Sequence, residues 1–234
     1  MRRLWYPINH DPKLAHQERR ASTLRTNASR CALFTPTMHT NNPNVSVFDD
    51  LLPKALVTSV IEAVSWMPMH FLNRWERFKS HELDMHWYYP VAFTDEPFVD
   101  DVEPSMRALD ETLQPITQCW DLIKASHDHP VRLYECMISA NTFGTEGRLH
   151  QDIAEVDDRP LHNTALIYCN REWNVAWAGE TLVFDEKNEI TAAVMPKPGR
   201  VMKIIGDPTH VGRSVSRICP TDRRVIVFKY WTVK

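Results

Sequence analysis

No apolar run in this chain of 234 residues approaches the roughly 18 needed to cross a bilayer, so no membrane-spanning segment is expected. Arg2 and Arg3 are not followed by the apolar core of a secretory signal. Charge of one sign is also missing. The 27 basic and 30 acidic side chains leave a net charge of −3, which argues against a dedicated surface for nucleic acid or anionic lipid. The five cysteines (Cys31, Cys119, Cys136, Cys169 and Cys219) are odd in number and show no CxxC spacing. That excludes a disulfide framework and a cysteine zinc site, and fits reduced thiols in a cytoplasmic protein. Glycine is scarce, 6 against 16 prolines, which points to strands joined by irregular connections. Internal repeats and low-complexity segments are absent.

What is present suits one domain with a substantial core and an added arm. Residues 1–44 are polar and irregular, with four prolines and the turn-forming run His39-Thr40-Asn41-Asn42-Pro43. They read either as a partly disordered tail or as an arm folded over a pocket, the second suggested by Leu4-Trp5-Tyr6 and Leu33-Phe34. Residues 45–234 read as a single domain. Val45–Phe48 is expected to be a short strand, and Asp49 and Asp50 to cap a helix with Pro53 in its first turn. Leu56, Val57, Val60, Ile61 and Val64 recur at helical spacing. The aromatic stretch Trp66–Phe93 is ambiguous, with a candidate strand at Leu83–Tyr89. A second helical region covers about Ser105–Ile123, restarted at Pro115.

From Val131 the character changes to short apolar runs separated by turn residues. Candidate strands are Val131–Ile138, Arg148–Ile153, Thr164–Cys169, Thr181–Phe184, Glu189–Val194, Arg200–Ile205, Ser214–Ile218 and Arg224–Thr232. Eight short strands after two helices suggest an α+β domain: a double-stranded β-helix, the cupin-like jelly roll, backed by N-terminal helices.

Candidate chemistry centres on His150-Gln151-Asp152. Side chains two apart on an extended strand share a face. With His210 they make a set of two imidazoles and one carboxylate, which suits Fe(II) and leaves open positions. The plainer alternative is a histidine capping a turn and a solvated aspartate. His81, His86, His127 and His129 are possible ligands in principle, but scattered histidines are more often surface or satisfied core residues.

Two arginines enter the last strand. Alternation places Arg224, Ile226, Phe228 and Tyr230 on one face and Arg223, Val225, Val227, Lys229 and Trp231 on the other. The first face, apolar with one terminal cation, is the expected barrel interior. Arg224 is therefore preferred to Arg223 as the group that would fork onto a carboxylate. Arg213 and Arg217 are outside candidates.

In order along the chain, several pieces match one family. Val47-Phe48-Asp49-Asp50-Leu51-Leu52-Pro53 is similar to its first strand and helix, and His150-Gln151-Asp152 to its metal-binding HxD. Thr164–Asn170, Trp173 and Trp177-Ala178-Gly179-Glu180-Thr181 are similar to its "YLN…W…GGE" stretch, with Cys169 and Ala178 as departures. Pro196-Lys197-Pro198-Gly199-Arg200 is similar to the turn before its distal histidine, whose place His210 fills. From about residue 45 onward the chain resembles the prolyl-4-hydroxylase-like Fe(II)/2-oxoglutarate-dependent dioxygenases.

The resemblance implies that His150, Asp152 and His210 bind iron, that Arg224 pairs with the distal carboxylate of 2-oxoglutarate, and that Tyr168 hydrogen-bonds it. Arg224 lies farther past the distal histidine than the family's usual cation, which an insertion around Ile218–Asp222 would explain. The implied reaction consumes O₂ and 2-oxoglutarate, releases succinate and hydroxylates a C–H bond. Desaturation or cyclisation are variants, while Asp152 argues against halogenation. A small-molecule substrate is expected, with a protein or peptidyl residue as the alternative and a non-redox cupin-like binding protein as the rival from another class.

Overall fold

The computed structural model describes residues 42–72, 85–94, 100–153 and 161–233, all within one unit, Phe34–Lys234. Residues 1–41 of the expected arm, including Cys31, and His81 lie outside the described residues. Only the end of the arm is seen: Asn42–Asn44 form a turn in which the Asn42 carboxamide accepts the Asn44 amide at 2.8 Å.

Among the described residues there are ten strands and three α-helices. The strands are β1 (Val45–Phe48), β2 (His70–Leu72), β3 (His86–Phe93), β4 (Val131–Asn141), β5 (His162–Tyr168), β6 (Thr181–Phe184), β7 (Ile190–Val194), β8 (Val201–Ile205), β9 (His210–Gly212) and β10 (Arg223–Thr232). The helices are α1 (Lys54–Ser65), α2 (Glu103–Arg107) and α3 (Gln114–Ala125). A seven-stranded antiparallel sheet in the order β1-β8-β5-β10-β4-β3-β2 faces a three-stranded sheet in the order β7-β6-β9. This is the expected double-stranded β-helix backed by helices. Among the described residues, no helix is long and apolar enough to cross a membrane.

The large sheet has two different faces. One is covered by the helices: Ile138, Ile167, Ile226, Phe228 and Tyr230 pack with Val60, Val64, Ile116, Trp120 and Ile123 in one cluster. Trp120 stacks on Phe228 at 5.6 Å and meets Tyr230 edge-on at 5.2 Å. Each such side chain taken fully out of water contributes roughly 1.5–3 kcal/mol. The other face meets the small sheet through Leu166, Tyr168, Val183, Val194, Met202, Val225 and Val227. The alternation along β10 is therefore as expected, but its assignment reverses. The face of Arg224, Ile226, Phe228 and Tyr230 turns to the helices, and that of Arg223, Val225, Val227 and Lys229 turns to the space between the sheets.

Three local expectations also change. Asp49 does not cap α1, whose N-cap is Pro53 without a side-chain bond. Instead Asp49 accepts hydrogen bonds from Arg200 at 2.7 Å and Lys197 at 2.6 Å, tying the end of β1 to the turn before β8. The strand expected at Ser214–Ile218 reduces to an isolated bridge between Val215 and Ala178. That expected at Arg148–Ile153 reduces to a bridge between His150 and His210. Pro115 does restart a helix, occupying the first turn of α3 where its missing N–H costs little.

Candidate metal centre and the buried arginine

His150 and His210 are brought together by their own backbones. The His150 amide donates to the His210 carbonyl at 3.1 Å, and the His210 amide returns the bond at 2.9 Å. Residues directly opposite in an antiparallel pair carry their side chains on the same face, and the two rings lie 4.5 Å apart. Asp152 reaches the same point by a bend, not by strand alternation. The Asp207 carboxylate accepts the amides of Asp152 and Ile153 at 2.6 and 2.8 Å, and the Gln151 side chain donates to the Asp207 carbonyl at 2.8 Å. The loop before β9 thus fixes both the distal histidine and the aspartate.

The ring nitrogens are sorted. The His150 Nδ1–H donates to the Arg148 carbonyl at 2.9 Å, and the His210 Nδ1–H to the Pro208 carbonyl at 3.0 Å. Both rings are therefore held with Nε2 unprotonated when neutral and aimed inward. Each Nε2 lies 3.7 Å from an oxygen of Asp152, too far for a hydrogen bond. The three ligand atoms lie within 4.8 Å of one another. Two neutral imidazoles and one carboxylate on one side of a buried point fit a divalent metal with an open face.

In a second group, Asp152, His162 and Asp207, the ligand atoms also lie within 4.8 Å of one another. Its ligands are already occupied: the His162 Nε2 bonds the Tyr134 hydroxyl at 2.9 Å, and Asp207 caps the two amides. Among the described residues no other such group occurs, so His86, His127 and His129 do not assemble one. His127 bonds the Tyr230 hydroxyl at 2.9 Å.

Asp152 carries further partners. The Thr164 hydroxyl donates to its Oδ2 at 2.6 Å, and Lys229 Nζ donates to its Oδ1 at 2.9 Å. Lys229 also lies 3.6 Å from Glu135. These residues form one row across the sheet, because Lys229 is paired with Glu135 on β4 and with Thr164 on β5. Burial opposes ionisation of Asp152, but the charge of Lys229 leads the contacts that outweigh it and hold the carboxyl well below its usual range. Burial likewise opposes the charge on Lys229, and Asp152 outweighs it, so the ammonium persists. The histidines diverge. At His150 burial lowers the pKa but the adjoining carboxylate raises it further, whereas at His210 burial prevails and favours the neutral ring.

At the other end of β10 stands Arg223, 2% exposed. Its guanidinium donates to the Gly179 carbonyl at 2.6 Å, the Thr181 hydroxyl at 2.6 Å and the Asn141 carboxamide at 3.2 Å, and lies 5.3 Å from the centre of the Tyr168 ring. All these partners are neutral. Tyr168 donates its hydroxyl to Thr181 at 2.8 Å. Thr181 pairs with Gly212 on β9, one side-chain step along that strand from His210. Arg223 packs tightly against two glycines. A Cβ on Gly179 would sit 3.2 Å from its Cδ, and one on Gly212 3.3 Å from its Nη1.

Arg224, the arginine expected on the inner face, lies on the outer one. Arg224 faces the helices, where it bonds Asp222 at 2.7 Å and the Val64 carbonyl at the end of α1. Asn170 sets this register, donating to the Asp222 carbonyl at 2.6 Å and accepting the Arg224 amide at 2.9 Å. Arg217 is exposed, and Arg213 pairs with Glu146 at 3.3 Å on the surface. Tyr168 does lie between the sheets, fully buried.

Comparison with family models and with curated protein sequences gives no match. Solved structures do match in fold. A prolyl hydroxylase from Trichoplax adhaerens, in complex with a hypoxia inducible factor oxygen degradation domain peptide fragment, aligns with a TM-score of 0.59 at 15% identity. The match covers 82% of this chain and 85% of that one. A Pseudomonas putida prolyl-4-hydroxylase aligns at 0.52 with 17% identity over 82% of this chain and 94% of its own. The non-haem α-ketoglutarate-dependent epimerase SnoN from nogalamycin biosynthesis aligns at 0.53 with 10% identity, covering 81% and 78%.

Proposed function

We propose that this protein is a non-haem Fe(II)/2-oxoglutarate-dependent dioxygenase that hydroxylates a C–H bond of a small molecule. The observation that carries the reading is the pairing of two features in one space between the sheets. One is the His150–Asp152–His210 set with both Nε2 atoms turned inward. The other is the buried Arg223, whose described partners are neutral.

A buried cation without a counter-charge is unfavourable unless an anion completes it. Here the nearest step toward the metal set is one pair of strand residues, roughly 7 Å, comparable with the length of a five-carbon dicarboxylate. Arg223 would fork onto the far carboxylate, and the Tyr168 hydroxyl and Thr181 would line its path. His150, Asp152 and His210 would hold Fe(II), which with O₂ supplies the oxidising chemistry coupled to decarboxylation of 2-oxoglutarate to succinate. The protein's own work is to orient the cosubstrate and exclude water between the sheets.

The fold neighbours support both a small-molecule and a peptidyl substrate. SnoN, from nogalamycin biosynthesis, favours the first, and the peptide complex of the Trichoplax enzyme favours the second. Anaerobic addition of Fe(II) and 2-oxoglutarate should give a weak visible charge-transfer band, and admission of air should give succinate. His150→Ala should abolish metal binding. Absence of both band and succinate from the parent protein would sink the oxygenase reading and leave a binding protein on the same fold.

A further inference from the structure

Lys229 is the one charged side chain in the middle of β10, and its ammonium sits on a metal-ligand candidate instead of on solvent. We infer that Lys229 is a built-in counter-cation for Asp152, which shares that carboxylate with the metal and so sets how tightly the metal is held. The inference rests on the metal centre proposed above and deepens it.

Three observations carry it. First, Lys229 and Thr164 divide the two oxygens of Asp152 between them, at 2.9 and 2.6 Å. The carboxylate is therefore fully engaged without a metal, and the three ligands are held in place beforehand. Thr164 can turn its hydroxyl away at little cost, whereas Lys229 keeps its positive charge beside Oδ1 whichever oxygen the metal takes. Second, the ammonium has little freedom to withdraw. Lys229 is 8% exposed, and its other carboxylate, Glu135, is farther off at 3.6 Å and partly exposed. Third, the pair lies across the central strand β10, whose neighbours β4 and β5 fix it from both sides.

A cation held against a ligand carboxylate weakens that ligand as a donor and repels the incoming dication. Lys229 therefore trades metal affinity for a triad that remains assembled when empty. It acts through Asp152 and is a positioning residue.

The test is anaerobic calorimetric titration of the full-length apo-protein with Fe(II), and with Co(II) as a redox-inert probe. Lys229→Met should bind either metal at least about tenfold more tightly, because the repulsion is removed while all three ligands remain. Glu135→Gln should bind severalfold more weakly, because the whole Lys229 charge then falls on Asp152. A purely structural lysine predicts the reverse for Lys229→Met, a loosened site and weaker binding. Unchanged or weaker binding by Lys229→Met would overturn the inference while leaving the oxygenase reading intact. If Lys229→Met does not fold, unchanged or tighter binding by Glu135→Gln overturns it. Failure of the parent protein to bind metal at one site, matching His150→Ala, overturns both.

Discussion

The two arginines at the start of β10 give the sharpest test of the cosubstrate site. Arg223→Gln removes a fully buried guanidinium and leaves the carboxylate proposed to bind it desolvated and unpaired. Truncating one member of such a pair costs about 2–5 kcal/mol, so the dissociation constant for 2-oxoglutarate should rise at least about thirtyfold. Folding should suffer less. The substitution gives up hydrogen bonds to Gly179, Thr181 and Asn141, but it also relieves burial of a charge that Glu180 favours only at longer range, with no described carboxylate in ion-pair contact. Arg224→Gln should do the opposite. It loses the ion pair with Asp222 and the bond to the Val64 carbonyl, destabilising the fold by about 1 kcal/mol while leaving 2-oxoglutarate affinity unchanged. Arg223→Lys, which keeps the charge without the planar fork, should fall between the parent and Arg223→Gln. The assay is anaerobic titration of the Fe(II) protein with 2-oxoglutarate, following the charge-transfer band. Loss of affinity in Arg224→Gln with parent-like binding by Arg223→Gln would refute the register argument.

Two predictions concern the frame around the site. Ala178 holds φ 56° and ψ −141°, a conformation near one that only glycine adopts readily. Its carbonyl still accepts the Trp173 indole N–H at 3.0 Å. Ala178→Gly keeps that backbone bond and should stabilise the protein by about 1 kcal/mol, after allowing for glycine's greater freedom in the unfolded chain; no gain in urea denaturation would contradict the strain. Asp49 supplies an acid limb. Its hydrogen bonds from Arg200, opposed by burial and helped by Lys197, lower its pKa from 3.8 to about 2. A depressed folded-state value means that this stabilisation is complete above about pH 4 and is lost as pH falls toward 2. After allowance for solvent screening it amounts to about 1–2 kcal/mol. The stability gap between the parent and Asp49→Asn should therefore close over that interval, and a gap that stays constant would refute the assignment.

Much of the fold was legible because its signals are local. The strands at Val45–Phe48 and Thr181–Phe184 have the bounds read from apolar runs and turn residues. The spacing of Val60, Ile61 and Val64 marks the buried face of α1. The metal candidates were legible from residue type, although the reason they meet is not strand alternation but a hydrogen-bonded bridge and the Asp207 clamp. Asp207 lay hidden because its work is done across a loop contact that leaves no periodic trace. The face of β10 failed for a more general reason. Alternation separates two faces but does not name the inner one, and here the more apolar face is the one the helices bury. A usable signal did exist. Lys229, in mid-strand and on the same face as Arg223, puts two cations on one side of a central strand. Only a polar interior could accept them.

The way each of those cations is compensated distinguishes their roles. Lys229 lies beside two carboxylates, Asp152 and Glu135, so its burial is balanced within the protein. Arg223 has a carbonyl, a hydroxyl, a carboxamide and an aromatic face, which satisfy its N–H groups but not its charge. Burial correspondingly lowers the pKa of Arg223, while Asp152 raises that of Lys229. Between them Val225 and Val227 pack into the apolar cluster, so an apolar stretch separates the two cations. Glu180 favours the Arg223 charge only at longer range, and a buried charge without a contacting counter-ion is a cost to stability that a bound anion lowers. Under the function proposed above, the balanced cation would serve the metal-ligand candidate Asp152, and Arg223 would be the one that a cosubstrate carboxylate completes.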